Sequence, residues 1–560
     1  MKAKVLTGLI FCLCLGTLFL SSSQFVNVQV TPKWYFAVFM GMLLALTAIA
    51  FLFSGQRQKS QYRFLLSQTC FIITVLCVAQ SMYGLLQYFG VLPAATGFRV
   101  TGSFDNPAGF AASLCAGVPA VFYPVLKNRT LQNWITAIAA AIIVTAVLLS
   151  GSRSGMASVL AVGMAISIYE FPKNRKLKVI LFSAVLLLFS GLYFLKKDSA
   201  DGRLLIWRCS LEMIQDKPLS GHGSGGFKAG YMNYQAEYFE ENPDSKYAML
   251  ADNVNRPFNE YILLLTNYGI AGFVLFLAGC WFLWRSFLRG RHEPVVRLAG
   301  CCLLSVAVFA FFSYPLTYPF VWTMMILSIT VIIYHAKYPV KIPGRVLSGL
   351  KLLSIPAILF FGWKTYQSMS NEMLWCKIAR QSLSGKTEQM LPEYERLRPA
   401  LSGNELFLYN YTAELNVVKN YDKSLQVGKA CEQLLADYDL QMLMADNCRE
   451  TGRYADAEHH FKKAAAMCPV RFMPLYQLAE LYKETGQDEK AVALARKIMD
   501  KEVKIPSAIV TSIKNKMRKL LEIQNNRADD TTQSAEKPIN TSSWQDCRLD
   551  SRSPRALLPT

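Results

Sequence analysis

The chain has few acidic residues for its basic ones, 39 against 59, and its fourteen cysteines form no paired metal-ligand spacing. The second absence removes a structural metal site built on cysteine pairs. Cys12, Cys14, Cys70, Cys77, Cys115, Cys280, Cys301 and Cys302 lie instead in apolar runs, where a thiol behaves as a small hydrophobe. No Gly-Lys-Ser/Thr closes the glycine-rich run at 221–226, so there is no phosphate loop for ATP. Five histidines leave few imidazole candidates for proton transfer. Long apolar runs are also absent after Lys364.

Before Lys364 such runs recur. From Val5 to Trp363 apolar segments of about 16–25 residues follow one another, long enough to cross a hydrocarbon layer of about 30 Å at 1.5 Å per residue. The excess positive charge, +20 overall, collects in every second short link: Arg57, Lys59 and Arg63; Lys127 and Arg129; Lys173, Arg175, Lys176 and Lys178; Arg285, Arg289, Arg291 and Arg297; Lys337, Lys341 and Arg345. This placement marks the cytoplasmic side of a membrane and excludes nucleic acid as the partner. The expected fold is all-α, a polytopic bundle of about eleven transmembrane helices with the amino terminus inside. Spans are expected at 1–23, 35–54, 64–89, 108–126, 132–150, 155–171, 179–195, 259–284, 298–313, 319–336 and 348–363. The first reads as an uncleaved helix; a cleaved signal peptide would leave the following segments oriented alike.

Three outer links are polar. The first carries Thr101-Gly-Ser-Phe-Asp-Asn-Pro107, where Asp105 or Asn106 can cap the next helix and Pro107 can take its first position. The second, Ser150-Gly-Ser-Arg153-Ser-Gly155, sets one arginine among small residues, either a snorkelling anchor or a contact for an anionic substrate. The third is a long loop, about residues 196–258. It contains Arg203-Leu-Leu-Ile-Trp207-Arg208 and Asp216-Lys-Pro-Leu-Ser-Gly-His222-Gly-Ser-Gly-Gly226, and runs through Arg256 to Asn259-Glu260.

Arg153, Arg203, Arg208 and Arg256 are the candidate anion ligands, with Arg153 and Arg203 first, because a guanidinium grips phosphate oxygens bidentately. Backbone amides at Gly221, Gly223, Gly225 and Gly226 could approach an oxyanion. Glu260, which could be desolvated at a membrane mouth, is the leading candidate base, followed by His222, with Asp252 a further one. Glu260 could equally serve the positive end of its helix, and His222 could be a solvated turn residue.

Beyond Lys364 the pattern becomes that of soluble helices. Tyr421, Tyr454 and Asp488, and Ser424, Ala457 and Ala491, recur at about 33–34 residues, with Gly452 and Gly486 at turns. The spacing resembles tetratricopeptide repeats, which bind protein partners. The expected domains are 1–363, with the loop 196–258 above the membrane; 364–525, helical repeats; and a disordered tail at 526–560.

The ordered set Thr101–Pro107, Ser150–Gly155, Arg203–Trp207, Asp216–Gly223 and Asn259-Glu-Tyr-Ile-Leu-Leu-Leu-Thr-Asn-Tyr-Gly269 resembles the O-antigen ligase and polymerase superfamily, from about Gly102 to Pro315. The resemblance implies a polytopic inner-membrane glycosyltransferase. Such an enzyme takes a glycan from undecaprenyl diphosphate on the periplasmic side and transfers it to an acceptor glycolipid, glycan or protein, without metal or other cofactor. Diphosphate-binding arginines carry over to Arg153 and Arg203, under a large periplasmic loop; Trp207, Asn106 and Asn259 join them as substrate-binding candidates. Where the ligases usually have a histidine before that asparagine, this chain has Phe258, which leaves Glu260 or His222 as base. A polymerase or a protein O-oligosaccharyltransferase shares the same chemistry. A lipid-glycan transporter and a scaffold anchored by the membrane part are the competing classes.

Overall fold

The computed structural model describes residues 2–53, 59–95, 97–124, 130–170, 175–176, 179–180, 182–183, 197–338 and 343–533. The described residues are all helix, turn or coil, as expected for an all-α chain. The expected span at 179–195 and the tail from 534 onward lie almost wholly outside them.

Two compact units emerge. The first holds Met1–Lys197, Phe258–Leu265 and Ile270–Cys376; the second holds Asp198–Pro257, Thr266–Gly269 and Lys377–Thr560. The loop expected above the membrane therefore groups with the helices from Lys377 onward.

In the first unit, α1 (Lys2–Phe19), α2 (Thr31–Phe53), α3 (Lys59–Tyr88), α4 (Pro107–Val121), α5 (Thr130–Leu149) and α6 (Arg153–Glu170) precede the loop. After it come α9 (Glu260–Gly290), α10 (Pro294–Phe312), a 3₁₀ turn at Pro315–Thr317, α11 (Pro319–Ala336) and α12 (Gly344–Gln381). Among the described residues five helices are long and apolar enough to cross a membrane: Thr31–Phe51, Gln61–Tyr88, Glu260–Gly290, Pro294–Phe312 and Pro319–Ala336.

The bundle is apolar outside and partly polar inside. Leu275 is 75 % exposed and Trp134 72 %, whereas Gln80, Ser158 and Ser305 are fully buried. Hydroxyls tie helices together in its interior. Ser158 Oγ donates to Ser305 O at 3.0 Å, and Ser305 Oγ to Cys115 O at 2.8 Å. Such bonds suit a solvent of lipid, where an unmet polar group has no water to turn to.

In the second unit, α7 (Lys197–Asp216) and α8 (Gly226–Glu241) come from the loop. From Lys377 on follow α13 (Thr387–Leu401) and the pairs α14 (Glu405–Val417) with α15 (Tyr421–Glu432), α16 (Tyr438–Glu450) with α17 (Tyr454–Met467), and α18 (Met473–Glu484) with α19 (Asp488–Asp500). Helix α20 (Ala508–Gln533) packs on α19 and runs past Asn525, where the tail was expected to start. Asn404 and Asp437 cap α14 and α16 by accepting two amides each, which satisfies groups the helix cannot. Each pair turns at a left-handed residue, Lys419, Gly452 and Gly486, so the repeat noticed at two glycines has a third member occupied by lysine.

Helix α8 is held against the helical pairs of this unit by polar contacts. Lys228 Nζ pairs with Glu405 at 2.7 Å, Ala436 N donates to Lys228 O at 2.9 Å, and Gln235 Nε2 donates to Met467 O at 2.6 Å. Farther along the loop, Asn253 Nδ2 donates to Asp437 at 2.6 Å and Arg471 Nη2 to Asp252 at 2.9 Å.

Candidate functional site

The first unit gathers its candidates around two turns. Gln87, on α3, clamps the turn before α4: its Oε1 accepts from Thr101 N at 3.0 Å and Gly102 N at 2.7 Å, and its Nε2 donates to Gly102 O at 3.0 Å. Gly102 has φ +56, and a Cβ there would lie 2.5 Å from the Phe110 ring. Asn106 does cap α4, its Oδ1 accepting from Ala108 N and Gly109 N. Its Nδ2 has a second task, donating to Tyr318 Oη at 2.9 Å, and Tyr318 Oη donates in turn to Asp105 at 3.3 Å. Tyr318 is fully buried.

The turn Tyr314–Tyr318 is gripped from other sides as well. Glu260, the first residue of α9, accepts from Leu316 N at 3.3 Å through Oε1. Trp34 Nε1 donates to Thr317 O at 2.7 Å, and Trp322 Nε1 to Leu316 O at 2.7 Å. Asn259 is 4 % exposed, and its Oδ1 caps α9 by accepting from Tyr261 N and Ile262 N. Phe258 has φ 54, a region unfavourable for a residue with a Cβ, and its ring lies 5.6 Å from that of Tyr314. Arg153 opens α6, half-buried, after the positive-φ residue Gly151; Ser152 Oγ accepts from Gly155 N at 3.2 Å.

A fully buried lysine of this unit was missed by sequence reasoning. Lys33 is 0 % exposed; its Nζ donates to Ser103 O at 2.5 Å and lies 4.1 Å from the centroid of the Phe104 ring. A lysine two residues into a hydrophobic helix reads as an end anchor, and only the meeting of α2 with residues 103–105 gives it another character.

In the second unit, Arg203, Trp207 and Arg208 lie on α7. Trp207 Nε1 donates to Pro257 O at 2.9 Å, which ties α7 to the residue after Arg256. Arg208 is exposed, with its guanidinium 4.8 Å from the Tyr238 ring centroid, while Arg203 and Arg256 are half-buried. His222 Nε2 lies 2.7 Å from Met213 O; a carbonyl only accepts, so Nε2 carries the proton and Nδ1 is the basic nitrogen of the neutral ring. Asp252 is paired with Arg471. Electrostatics in this unit centre on the same region: burial, then the neighbouring Asp437, pushes the Asp439 carboxyl up to about 6. Burial also raises Cys448 to about 11 and Cys468 to about 12, so both thiols stay protonated and free.

The glycine-rich run is not an open oxyanion nest. His222 N donates to Thr266 O at 2.9 Å, Gly223 N to Asn267 O at 2.8 Å, Gly221 N to Lys217 O, Gly226 N to Gly223 O, and Phe227 N to Asn267 Oδ1 at 3.0 Å. These amides serve the protein itself. The glycines are needed because two backbones meet: a Cβ at Gly221 would sit 2.5 Å from Asn267 C, and one at Gly269 2.5 Å from Leu219 C. The two motifs Asp216–Gly223 and Asn259–Gly269 are therefore halves of one contact.

Residues 138–277 match the family described as O-antigen ligase. The matched segment is about a quarter of the chain's length and is similar to that family. No curated protein matches the chain. The O-antigen-ligase match takes in Arg153, Arg203, Trp207, Arg208, His222, Arg256, Asn259 and Glu260, and it falls in a chain with several helices long and apolar enough to cross a membrane. The turn 101–107 and the clamp on residues 314–318 lie outside the matched segment.

Proposed function

We propose that the protein transfers an oligosaccharide or polysaccharide from undecaprenyl diphosphate to an acceptor hydroxyl at the periplasmic face of the inner membrane. The observation that carries this reading is the O-antigen-ligase match, which spans the polar links between the apolar helices. In the transfer, the acceptor O–H breaks and its oxygen attacks the anomeric carbon with inversion. The bond from that carbon to the diphosphate breaks, and its electron pair leaves with undecaprenyl diphosphate. Glu260, at the head of α9 and bonded to Leu316 N, takes the proton; His222, through Nδ1, is the second choice. Arg153 neutralises the diphosphate, a role a guanidinium fills without metal. Arg203, Arg208 and Arg256 are the further candidate cations, and Trp207, Asn106 and Asn259 the orienting residues. The helical pairs from Glu405 onward are read as tetratricopeptide-like repeats that engage a protein partner, which favours an acceptor or assembly complex containing protein.

The test is deletion of the gene in its own host, with surface polysaccharide, periplasmic glycoproteins and the lipid-linked glycan pool compared before and after complementation. The lipid-linked pool should accumulate and one glycoconjugate disappear, and that product names ligase, polymerase or protein glycosylation. Complementation with Arg153→Ala or Glu260→Ala should leave expression intact and lower transfer by about 10²-fold or more. Chelation of membranes with EDTA should leave transfer unchanged. Unaltered glycan pools on deletion would overturn the reading in favour of a transporter or scaffold.

A further inference from the structure

A lysine wholly removed from water is costly unless its ammonium is used. Lys33 is 0 % exposed, and the hydrogen bond and ring contact of its ammonium both go to residues 103–104. The ammonium holds the Ser103 carbonyl, faces the Phe104 ring and sits in the field of the Asp105 carboxylate. The same turn is held from α1, where Leu18 O accepts from Ser103 Oγ. Phe104 then meets Tyr318 edge to face at 5.4 Å, and Tyr318 Oη links Asp105 with Asn106. The adjacent residue on α2, Trp34, holds Thr317, and the residue before Thr317 donates its amide to Glu260. One end of one helix thus braces two turns that are over two hundred residues apart in the chain, and the second turn holds the candidate base.

We propose that Lys33 is a positioning residue that, through Ser103, Phe104 and Asp105, holds Tyr318 and the 314–318 turn in register for Glu260. The inference rests on the transfer reading above and adds to it a residue outside the matched segment. A core staple would serve only cohesion, and any side chain of similar bulk would replace it; a positioning ammonium demands positive charge at that spot. Asp105 supplies the countercharge, so its removal should loosen the same two turns.

The experiment uses the full-length protein in nanodiscs, with donor extracted as the host's own lipid-linked glycan from the deletion strain. Wild type, Lys33→Met, Lys33→Arg and Asp105→Asn are compared for transfer kinetics and for hydrogen exchange of peptides covering residues 99–108 and 313–318. Lys33→Met should lower kcat at least tenfold with KM for donor within twofold, and should raise exchange in both turns but not in α5 or α10. Lys33→Arg should restore part of kcat, and Asp105→Asn should raise exchange in both turns. Wild-type kinetics in Lys33→Met, or a general rise in exchange and loss of yield that Lys33→Arg does not mend while Asp105→Asn leaves both turns unchanged, would overturn the proposal. Absence of transfer by the wild type would instead indict the transfer reading, and the catalytic meaning of Lys33 would fall with it.

Discussion

The two units answer the same problem, what to do with polar groups, in opposite ways. In the bundle of α1–α6 and α9–α12 the outer face is Leu275, Trp134 and Phe71, and polarity is turned inward to Ser158, Ser305 and Lys33. In the loop and repeat unit the charges face water as ion pairs, Arg453 with Asp422 and Lys462 with Glu458, while Tyr231, Phe407 and Phe461 fill the interior. Helix α9 makes the contrast within one element. Its residues 266–269 belong with the loop, while 270–290 belong with the bundle, and the helix loses its regular backbone at Gly269 (φ 61, ψ −165). A glycine can therefore have two meanings on a single helix.

That difference can be broken directly. Gly269→Val would force a branched side chain into left-handed backbone and against Leu219, and should abolish assembly of the loop unit, a loss of about 3 kcal/mol or more seen as low yield and protease-sensitive protein. Gly279→Val, ten residues on with nothing within 4 Å of its would-be Cβ, should leave yield and melting unchanged. Equal damage from both would dissolve the contrast.

A smaller effect is expected where the second unit buries a carboxylate. Asp439 is raised to about 6 by burial and by Asp437, with Arg471 opposing and Asp252 adding to the shift. An unfolded aspartate titrates near 3.9, so between about pH 4 and about pH 6 the folded protein binds more protons. Stability then declines as pH rises through that window. Asp439→Asn should raise the melting temperature at pH 7.5 by the equivalent of about 2 kcal/mol and remove the slope. Thermal melts at pH 5 and pH 7.5 check the sign; a variant that melts lower at pH 7.5 contradicts it.

The smallest effect lies at Lys419, whose φ of 61 matches the turn positions of Gly452 and Gly486. Lys419→Gly should stabilise by about 0.5 kcal/mol, because the relief of a left-handed side chain slightly exceeds the entropy added to the unfolded chain. Gly452→Lys should cost about 1 kcal/mol in the same melt.

Several helices of the bundle were legible because hydropathy is one-dimensional. The expected span 319–336 is α11 to the residue, and 298–313 falls within one residue of the end of α10. The cap before α4 was readable for the same reason, a polar residue directly before a helix, though the choice between Asp105 and Asn106 fell to the structure, and Asn259 was not read as a cap. Less could be read where partners lie far apart in the chain. The glycines at 221–226 looked free to bind an anion because nothing local shows that Thr266 and Asn267 take their amides. Nothing near Lys33 in the chain singles it out, because Ser103 is seventy residues away.

Apolar run length and helical periodicity determine that the described residues are helical, with parts long and apolar enough to cross a membrane and parts that face water, since each depends only on neighbours along the chain. Grouping residues 198–257 with Lys377 onward, closing Gly221 on Gly269, and burying Lys33 over Phe104 were settled by folding alone. Those contacts join segments with no common periodicity, and their stability comes from shape and desolvated polar pairing that appear only once the backbones meet.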